Sequence, residues 1–294
     1  MVKERENILF IVNPISGKGA LKNLEKKIYK SLSNKRFNAV IEHTQQAKHA
    51  ATLAHEYLQK GIQKFVAVGG DGTVNEVASA LMHTNATLGI TPIGSGNGFA
   101  RHLRIPFDID KAIHVINKEK IALVDVGEVN KQPFVCTAGV GFDAQVGNSF
   151  AHGTKRGFAN YVKATIQEFL SYKPNRYKIT INNQTFEKVA FLITIANAAQ
   201  YGNNAFIAPN ADITDGKLDV TILSPFPKYI SPLIGIKLFS KQIGKSRFVE
   251  TFKVKEIAIE QLDSNVLHYD GEPIKINVPL NFSIKPLALK VFVP

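Results

Sequence analysis

Between Val68 and Glu76 the chain reads Val-Gly-Gly-Asp-Gly-Thr-Val-Asn-Glu, a glycine-rich turn wrapped around one acid. It follows the apolar run Phe65-Val-Ala-Val68 and precedes Val74, Val77, Ala78, Leu81 and Met82, whose spacing is that of one helix face. A turn so placed ends a buried strand and opens a helix. Free backbone N–H groups and the positive end of the helix dipole point outward there, which favours phosphate binding. Asp71 is the odd member. A carboxylate among phosphate-cradling glycines repels the ligand unless a cation neutralises it or its role is to order donors. The turn points to nucleotide chemistry with a divalent metal nearby.

Two more glycine-bearing turns follow strand-like runs: Asn13-Pro-Ile-Ser-Gly-Lys-Gly19 after 8–12, and Gly94-Ser-Gly-Asn-Gly98 after 88–93. One such turn is often no more than a tight bend, but three on one parallel sheet would gather at the same carboxyl edge. None fits a Walker pattern or a full G-x-G-x-x-G. Lys18 could reach a phosphate, although a lone loop lysine is more often solvated. In the second half, Asp215-Gly and Asp270-Gly-Glu272 taken alone read as ordinary turn punctuation. His268 is a tempting base two residues from Asp270, yet on a strand of alternating faces it reads as a packed or surface histidine. His43, His49, His102 and His152 show no metal-ligand spacing, and the single cysteine, Cys136, excludes a cysteine-based zinc site and an internal disulfide.

The elements that must position these residues change texture midway. Residues 1–125 alternate strand-like runs (8–12, 38–42, 65–68, 88–93) with helix-like ones. The first helix is expected over 20–33, with Leu21, Leu24, Ile28 and Leu32 on one face, and the second opens at Thr44. This predicts a largely parallel sheet covered by helices. From 121 onward, short β-type runs at 121–145, 177–181, 189–196, 218–223, 253–260, 265–269 and 275–278 predict an antiparallel β-sandwich for the part beyond 126. Helical insertions are expected around 158–171 and 228–245. The run 287–293 could close either domain.

At 294 residues, 45% hydrophobic and 20% charged, the chain is long enough for two domains that each bury a core. No apolar run approaches membrane-spanning length and the amino terminus lacks a signal-peptide profile, so a cytoplasmic location is expected. The 36 Lys and Arg outnumber the 24 Asp and Glu, a net charge of +12 that implies acidic partners. Between 226 and 255 the cations Lys228, Lys237, Lys241, Lys245, Arg247, Lys253 and Lys255 face only Glu250, and Tyr229, Ile230, Leu233, Ile234, Ile236, Leu238 and Phe239 are mixed among them. That aliphatic-rich mixture suits a peripheral membrane contact better than a nucleic-acid groove. Core packing beneath a solvated rim explains it about as well.

In order and spacing, Asn13-Pro-x-Ser-Gly17, Gly69-Gly-Asp-Gly-Thr-Val-Asn-Glu76 and Pro92-x-Gly-Ser-x-Asn-x-Phe-Ala100 resemble the diacylglycerol-kinase catalytic domain. That group includes bacterial soluble lipid kinases, ceramide kinases and sphingosine kinases. Gly141-Phe-Asp143, Asn197, Pro209-x-Ala211, Asp215-Gly-x-Leu-Asp219 and Asp270-Gly-Glu272 continue the match over nearly the whole chain. The Gly-Gly-Asp-Gly element alone is shared with NAD kinases and phosphofructokinases. Ser95 and Gly98 stand where many bacterial members have Thr and Asp, and Gly-Ser-Gly-Asn is closer to the sphingosine-kinase form.

The resemblance implies a nucleotide-binding α/β domain over 1–125, a β-sandwich domain for lipid and metal over 126–280, and a returning segment over 281–294, with ATP in the cleft between domains. It implies that Asn13, Pro14, Ser16, Gly17, Thr44, Gly70, Asp71, Gly72, Thr73, Asn75, Glu76 and Ser95 line the ATP site. Mg²⁺ would take the Asp215 carboxylate and the carbonyls of Asp212 and Lys217, with Asp125 and Asp71 joining through water. Oxygen-only ligation is what a hard cation requires. The catalytic base is assigned to the 270–272 triplet, Asp270 first and Glu272 second. The activity implied is ATP- and Mg²⁺-dependent phosphorylation of a membrane-lipid hydroxyl, diacylglycerol first, then a sphingoid base, phosphatidylglycerol or another lipid alcohol. The enzyme would act at the inner, anionic face of the membrane without nucleic acid, and a homodimer is one assembly the reading allows. An NAD kinase and a non-catalytic lipid- or nucleotide-binding module are the rival readings.

Overall fold

The structure, a computed structural model, describes residues 5–17, 21–151, 158–261, 263–275 and 279–294, without the side chains of 150, 151 and 158–164. Lys18, His152 and most of the expected strand at 275–278 lie outside the described residues. The chain begins β1 (Glu6–Val12), α1 (Leu24–Ser31), β2 (Phe37–His43), α2 (His49–Gln59), β3 (Lys64–Gly69), α3 (Asp71–Leu81), β4 (Thr87–Pro92), α4 (Gly98–His102) and α5 (Ile109–Asn117). Next come β5 (Ile121–Val129), β6 (Gln132–Phe134), β7 (Thr137–Gly141), α6 (Phe142–Ala151) and α7 (Phe158–Ser171). Then follow β8 (Asn175–Ile181), β9 (Gln184–Ala190), β10 (Leu192–Ala196), β11 (Leu218–Leu223) and α8 (Ser231–Phe239). The chain ends with β12 (Val249–Val254), β13 (Glu256–Gln261), β14 (Val266–Tyr269), β15 (Glu272–Lys275) and β16 (Leu280–Phe292). Two compact units result: Met1–Val124 with Leu287–Pro294, and Asp125–Pro286.

In the first unit the strands run in the order β2-β1-β3-β4, all parallel, and the end of β16 adds to β4 in parallel register at Lys290 and Val291. Ile8 to Val12 are fully buried, as a strand covered on both faces must be. Ile8, Phe10 and Val12 pack with Leu24, Ile28, Ile113 and Ile116 of α1 and α5. α2 and α3 pack on each other and on β1, β3 and β4. The expected first helix is shorter than its apolar period suggested, since it starts at Leu24 behind the left-handed Asn23. The second starts at His49 rather than Thr44. The terminal run closes this unit.

The second unit is an antiparallel sandwich. One sheet has the order β12-β11-β10-β7-β14-β15, and the other joins β9, β8, β13 and the start of β16. Inward residues of both, among them Val140, Ile179, Ile193, Val220, Ile259, Leu267 and Phe282, form one core. Two expected strands split. The run 189–196 becomes β9 and β10, broken at Phe191, whose N–H donates to Leu223 O at 2.7 Å and whose ring joins Phe142, Tyr172 and Phe226 in an aromatic cluster. The run 253–260 becomes β12 and β13, broken at Lys255. In both cases the chain passes from one sheet to the other, through buried residues at Phe191 and exposed ones at Lys255, and apolar periodicity cannot register the change of sheet. α6 begins inside a stretch read as β and was not among the helical insertions expected in this half. Among the described residues no helix is long and apolar enough to cross a membrane.

Candidate active site

In the first unit the carboxyl ends of β2, β1, β3 and β4 form one edge, because Val12 lies opposite His43 and Val68, and Gly69 opposite Pro92. Asn13 links two of the turns that leave this edge. Its N–H donates to Val68 O at 2.9 Å, its Nδ2 to Thr73 Oγ1 at 3.1 Å, and its Oδ1 accepts from the N–H of Ile15 at 3.1 Å. The N–H groups of Ile93 and Gly94 both donate to Gly69 O, at 3.0 and 3.3 Å. A Cβ on Gly94 would come within 2.5 Å of Gly70 Cα, so the close approach of the second and third turns requires glycine at 94.

Asp71 then braces the third turn. Its Oδ2 accepts from the N–H of Asn97 and its Oδ1 from the N–H of Gly98, each at 2.8 Å. Asn97 is left-handed, φ 51°, and its side chain gives α4 no cap, so the carboxylate of Asp71 supplies one. These contacts are those of an acid that orders donors. Glu76 does the same for α2, whose first turn holds no acid: its carboxylate accepts from the N–H of Lys48 at 2.9 Å and of Ala50 at 3.0 Å. Thr44, Thr73 and Asn75 are buried at this edge, whereas Pro14 and Ser95 are exposed at turn tips. Asn97, outside the expected set, holds the third turn by donating from Nδ2 to Gly94 O at 2.6 Å, and its Oδ1 is buried without a hydrogen-bond partner among the described residues.

In the second unit Asp125, fully buried, accepts from the N–H of Gly216 with Oδ2 at 2.7 Å, and its N–H donates to Ile213 O at 2.7 Å. It therefore docks the loop that carries Asp212, Asp215 and Lys217. Asp212 Oδ1 accepts from Thr214, and Asp215 Oδ1 accepts from the N–H of Lys217 at 3.0 Å. Asp215 Oδ2 pairs with Lys253 Nζ at 2.6 Å, and Asp219 Oδ2 lies 3.4 Å from the same ammonium. Burial raises the Asp219 pKa, Lys253 opposes this, and Asp215 and Asp212 add to it. Burial works against the charge of Lys253, but Asp215 and Asp219 outweigh it and leave its pKa raised. Among the described residues no three His, Cys, Asp or Glu side chains converge as a metal site. A cation at this loop would therefore take backbone carbonyls as well. The loop's donors are all oxygen, which suits a hard cation, and among the described residues the buried Asp219 Oδ2 has only the 3.4 Å ion pair with Lys253.

The two acids of the 270–272 triplet differ sharply in setting. Asp270 is buried at φ 44°, its Oδ2 accepting from the N–H of Val135 at 2.8 Å and its Oδ1 from those of Cys136 and Thr137 at 2.8 and 3.0 Å. Three of about four lone-pair positions are thus occupied by backbone donors, which is the setting of a structural anchor. Glu272 is exposed at the start of β15. His268 is buried, as a packed residue, with Asp143 as its partner. Asp219, Lys253 and Asn97 are residues of the candidate site that sequence reasoning missed. The first and last lay inside quoted motifs, whereas Lys253 reads in the sequence as one cation of the basic 226–255 stretch and in the structure pairs with Asp215 and Asp219.

Residues 7–129 match the diacylglycerol kinase catalytic domain, and residues 136–293 match the YegS C-terminal NAD kinase beta sandwich-like domain. A protein of Pseudomonas aeruginosa named probable lipid kinase YegS-like is 31% identical over 249 residues, 83% of this chain and 81% of that protein. A namesake from Chromohalobacter salexigens is 32% identical over 227 residues, 75% of this chain and 73% of its own length. Among solved structures, a diacylglycerol kinase from Bacillus anthracis str. Sterne aligns with TM-score 0.73 and 25% identity, over 98% of this chain and 97% of that one. An NAD kinase from Archaeoglobus fulgidus in complex with ATP aligns with TM-score 0.53 at 10% identity, over 97% of this chain and 93% of that one, and shares the fold alone.

Proposed function

The chain belongs to the family of the diacylglycerol kinase catalytic domain and is a lipid kinase, and from that premise we propose that it transfers the γ-phosphate of ATP to the hydroxyl of diacylglycerol. The observation that carries the reading is the braced edge of the first unit. There, turns after three neighbouring parallel strands hold backbone N–H groups in place, with Asp71 and the Gly70–Gly94 approach fixing their geometry. ATP phosphates would bind at Asn13, Ser16, Gly17, Gly70, Gly72, Thr73 and Ser95. Thr44, Asn75 and Glu76 would line or support the same edge.

Magnesium would be held by Asp215 and the carbonyls of Asp212 and Lys217, with Asp125 beside them, and when bound it would neutralise phosphate charge. The oxygen donors of the loop support this, and Lys253 would have to release Asp215. The proton of the lipid hydroxyl would pass to a carboxylate of the triplet. Because Asp270 already holds three backbone donors, Glu272 is the better supported acceptor and Asp270 sets the turn that carries it.

The acceptor sits in a bilayer, and α8 supports a peripheral contact with an anionic one. None of its nine residues is buried; Ile236 and Phe239 are 64% and 54% exposed, and Tyr229, just ahead of the helix, is 80% exposed. Lys237 and Lys241 are fixed at its end, the first donating to Lys245 O at 2.9 Å and the second lying over the Phe206 ring. Apolar side chains rimmed by cations fit a membrane surface. Diacylglycerol leads because the matching domain and the Bacillus anthracis structure carry its name; Ser95 and Gly98 favour a sphingoid base as the second reading.

The test is γ-phosphate transfer from labelled ATP to diacylglycerol, sphingosine, phosphatidylglycerol and NAD, with Mg²⁺ and after chelation. Labelled phosphatidic acid that disappears with chelator is the expected result. Labelled NADP as the sole product would overturn the lipid reading, and ATP binding with no transfer to any acceptor would favour a binding module.

A further inference from the structure

Asp143, Thr194, Tyr201 and His268 form a buried polar hub that none of the roles above uses. Asp143 Oδ2 accepts from the hydroxyls of Thr194 and Tyr201, each at 2.9 Å, and lies 3.0 Å from His268 Nε2. The two hydroxyls are themselves 2.5 Å apart. Asp143 Oδ1 accepts from the N–H of Ala144 at 2.9 Å, and the side chains of His268 and Asp143 are only 5% and 9% exposed. Burying a carboxylate and an imidazole is costly unless each is satisfied, and well-packed apolar residues commonly stabilise such a place as well or better. Stability alone is a weak reason for this cluster.

The backbone around it leaves room for it. Gly139 lies opposite His268 in the β7–β14 register. A Cβ there would come within 3.1 Å of Asp143 Oδ2 and 3.2 Å of His268 Nε2, besides 2.6 Å from Ile193 O. The missing side chain of Gly139 is therefore the space in which the acid and the imidazole meet.

The hub also stands directly before the candidate catalytic turn. His268 is on β14, and after Tyr269 the chain bends through Asp270, φ 44°, and Gly271, φ 83°, to Glu272. Asp270 donates its N–H to Thr137 O at 2.8 Å and accepts the N–H groups of 135–137. Asp143, in the first turn of α6, and Thr194, on β10, thus fix β14 from two other elements just where that ladder ends.

We propose that Asp143 and His268 are positioning residues for phosphoryl transfer, tying β14 to α6 and β10 so that the 270–272 turn holds its acids in one orientation. The activity arm of this proposal rests on the kinase reading; the structural arm does not. The experiment is hydrogen–deuterium exchange together with steady-state kinetics on the full chain. In Asp143→Asn the amides of 135–137 and 269–271 should exchange roughly tenfold faster while those of β1 and β3 keep their rates. For the same variant kcat should fall roughly tenfold at an unchanged KM for ATP. His268→Gln, whose amide can still donate to Asp143, should keep kcat within about threefold of wild type, and His268→Leu should fall as far as Asp143→Asn. If Asp143→Asn does not fold, Tyr201→Phe removes one donor and leaves the ring, with faster exchange expected at the same amides. Unchanged exchange at 135–137 and 269–271 in the folded variants would overturn the proposal, as would equal kcat for Gln and Leu at 268. Faster exchange in a chain whose wild type transfers no phosphate would support the structural arm and overturn the kinase reading instead.

Discussion

Asp71 and Asp270 use their carboxylates alike, each accepting backbone N–H groups with both oxygens, but their surroundings differ. Asp71 is partly exposed at the glycine edge, and Asn in its place would keep one acceptor and turn an NH₂ toward a donor. Asp71→Asn should therefore lose about 1.4 kcal/mol of support for the third turn, read as a KM for ATP raised about tenfold with a small drop in Tm. Asp270→Asn disturbs a buried anchor instead. It should lower stability by about 2–4 kcal/mol, measured by urea denaturation, and lower activity along with it. Glu272→Gln should abolish transfer at unchanged stability and ATP affinity. A fully active Glu272→Gln would return the base to Asp270. The sequence showed that acids stood at 71, 270 and 272. It could not show which N–H groups they face, because the donors of Asp270 lie more than 130 positions away in the chain.

At the scale of elements, the parallel strands and their turns were legible because a strand buried on both faces leaves an unbroken apolar run ended by glycine. Which glycine is indispensable was not legible. Gly94→Ala forces Cβ to 2.5 Å from Gly70 Cα, whereas a Cβ on Gly70 meets Gly94 Cα at 3.5 Å, an ordinary contact. Gly94→Ala should lower Tm by several degrees and Gly70→Ala by little, as thermal melts of the two would show. The split strands at Phe191 and Lys255 escaped detection because the extended run continued in sequence while the chain changed sheets. For the segment around α8, replacing Lys237, Lys241 and Lys245 together with Gln should weaken binding to phosphatidylglycerol vesicles, and the loss should shrink as salt is added. Unchanged vesicle binding would make the segment a solvated rim.

For the whole molecule, one source of pH-dependent stability is Asp219, at the start of β11 beside the acidic loop. Burial first, then Asp215 and Asp212, raise the pKa of Asp219 against the pull of Lys253. A carboxyl whose folded-state pKa is raised binds its proton more tightly folded than unfolded. Its ionised form therefore costs stability above the raised value, and that cost is relieved as pH falls toward the unfolded pKa of roughly 3.9. Asp219→Asn should raise Tm at pH 7 and lose the advantage near pH 4, as melts at the two values would test. No advantage at pH 7 would mean that the Lys253 pairing dominates.

The sequence by itself determined the division into a parallel α/β part and an antiparallel β part, the three glycine turns and the acids of the second half. These depend on local periodicity and turn chemistry, which short stretches of chain carry. Only the tertiary structure decided what those acids do. It turned Asp71 into a cap for α4, drew Lys253 onto Asp215 and Asp219, seated Asp270 on three distant N–H groups, and brought Asp143 to His268 through the space left by Gly139. Each is a contact between residues far apart in the chain. The partner of a polar side chain is set by how sheets pair and pack, and no local pattern encodes it.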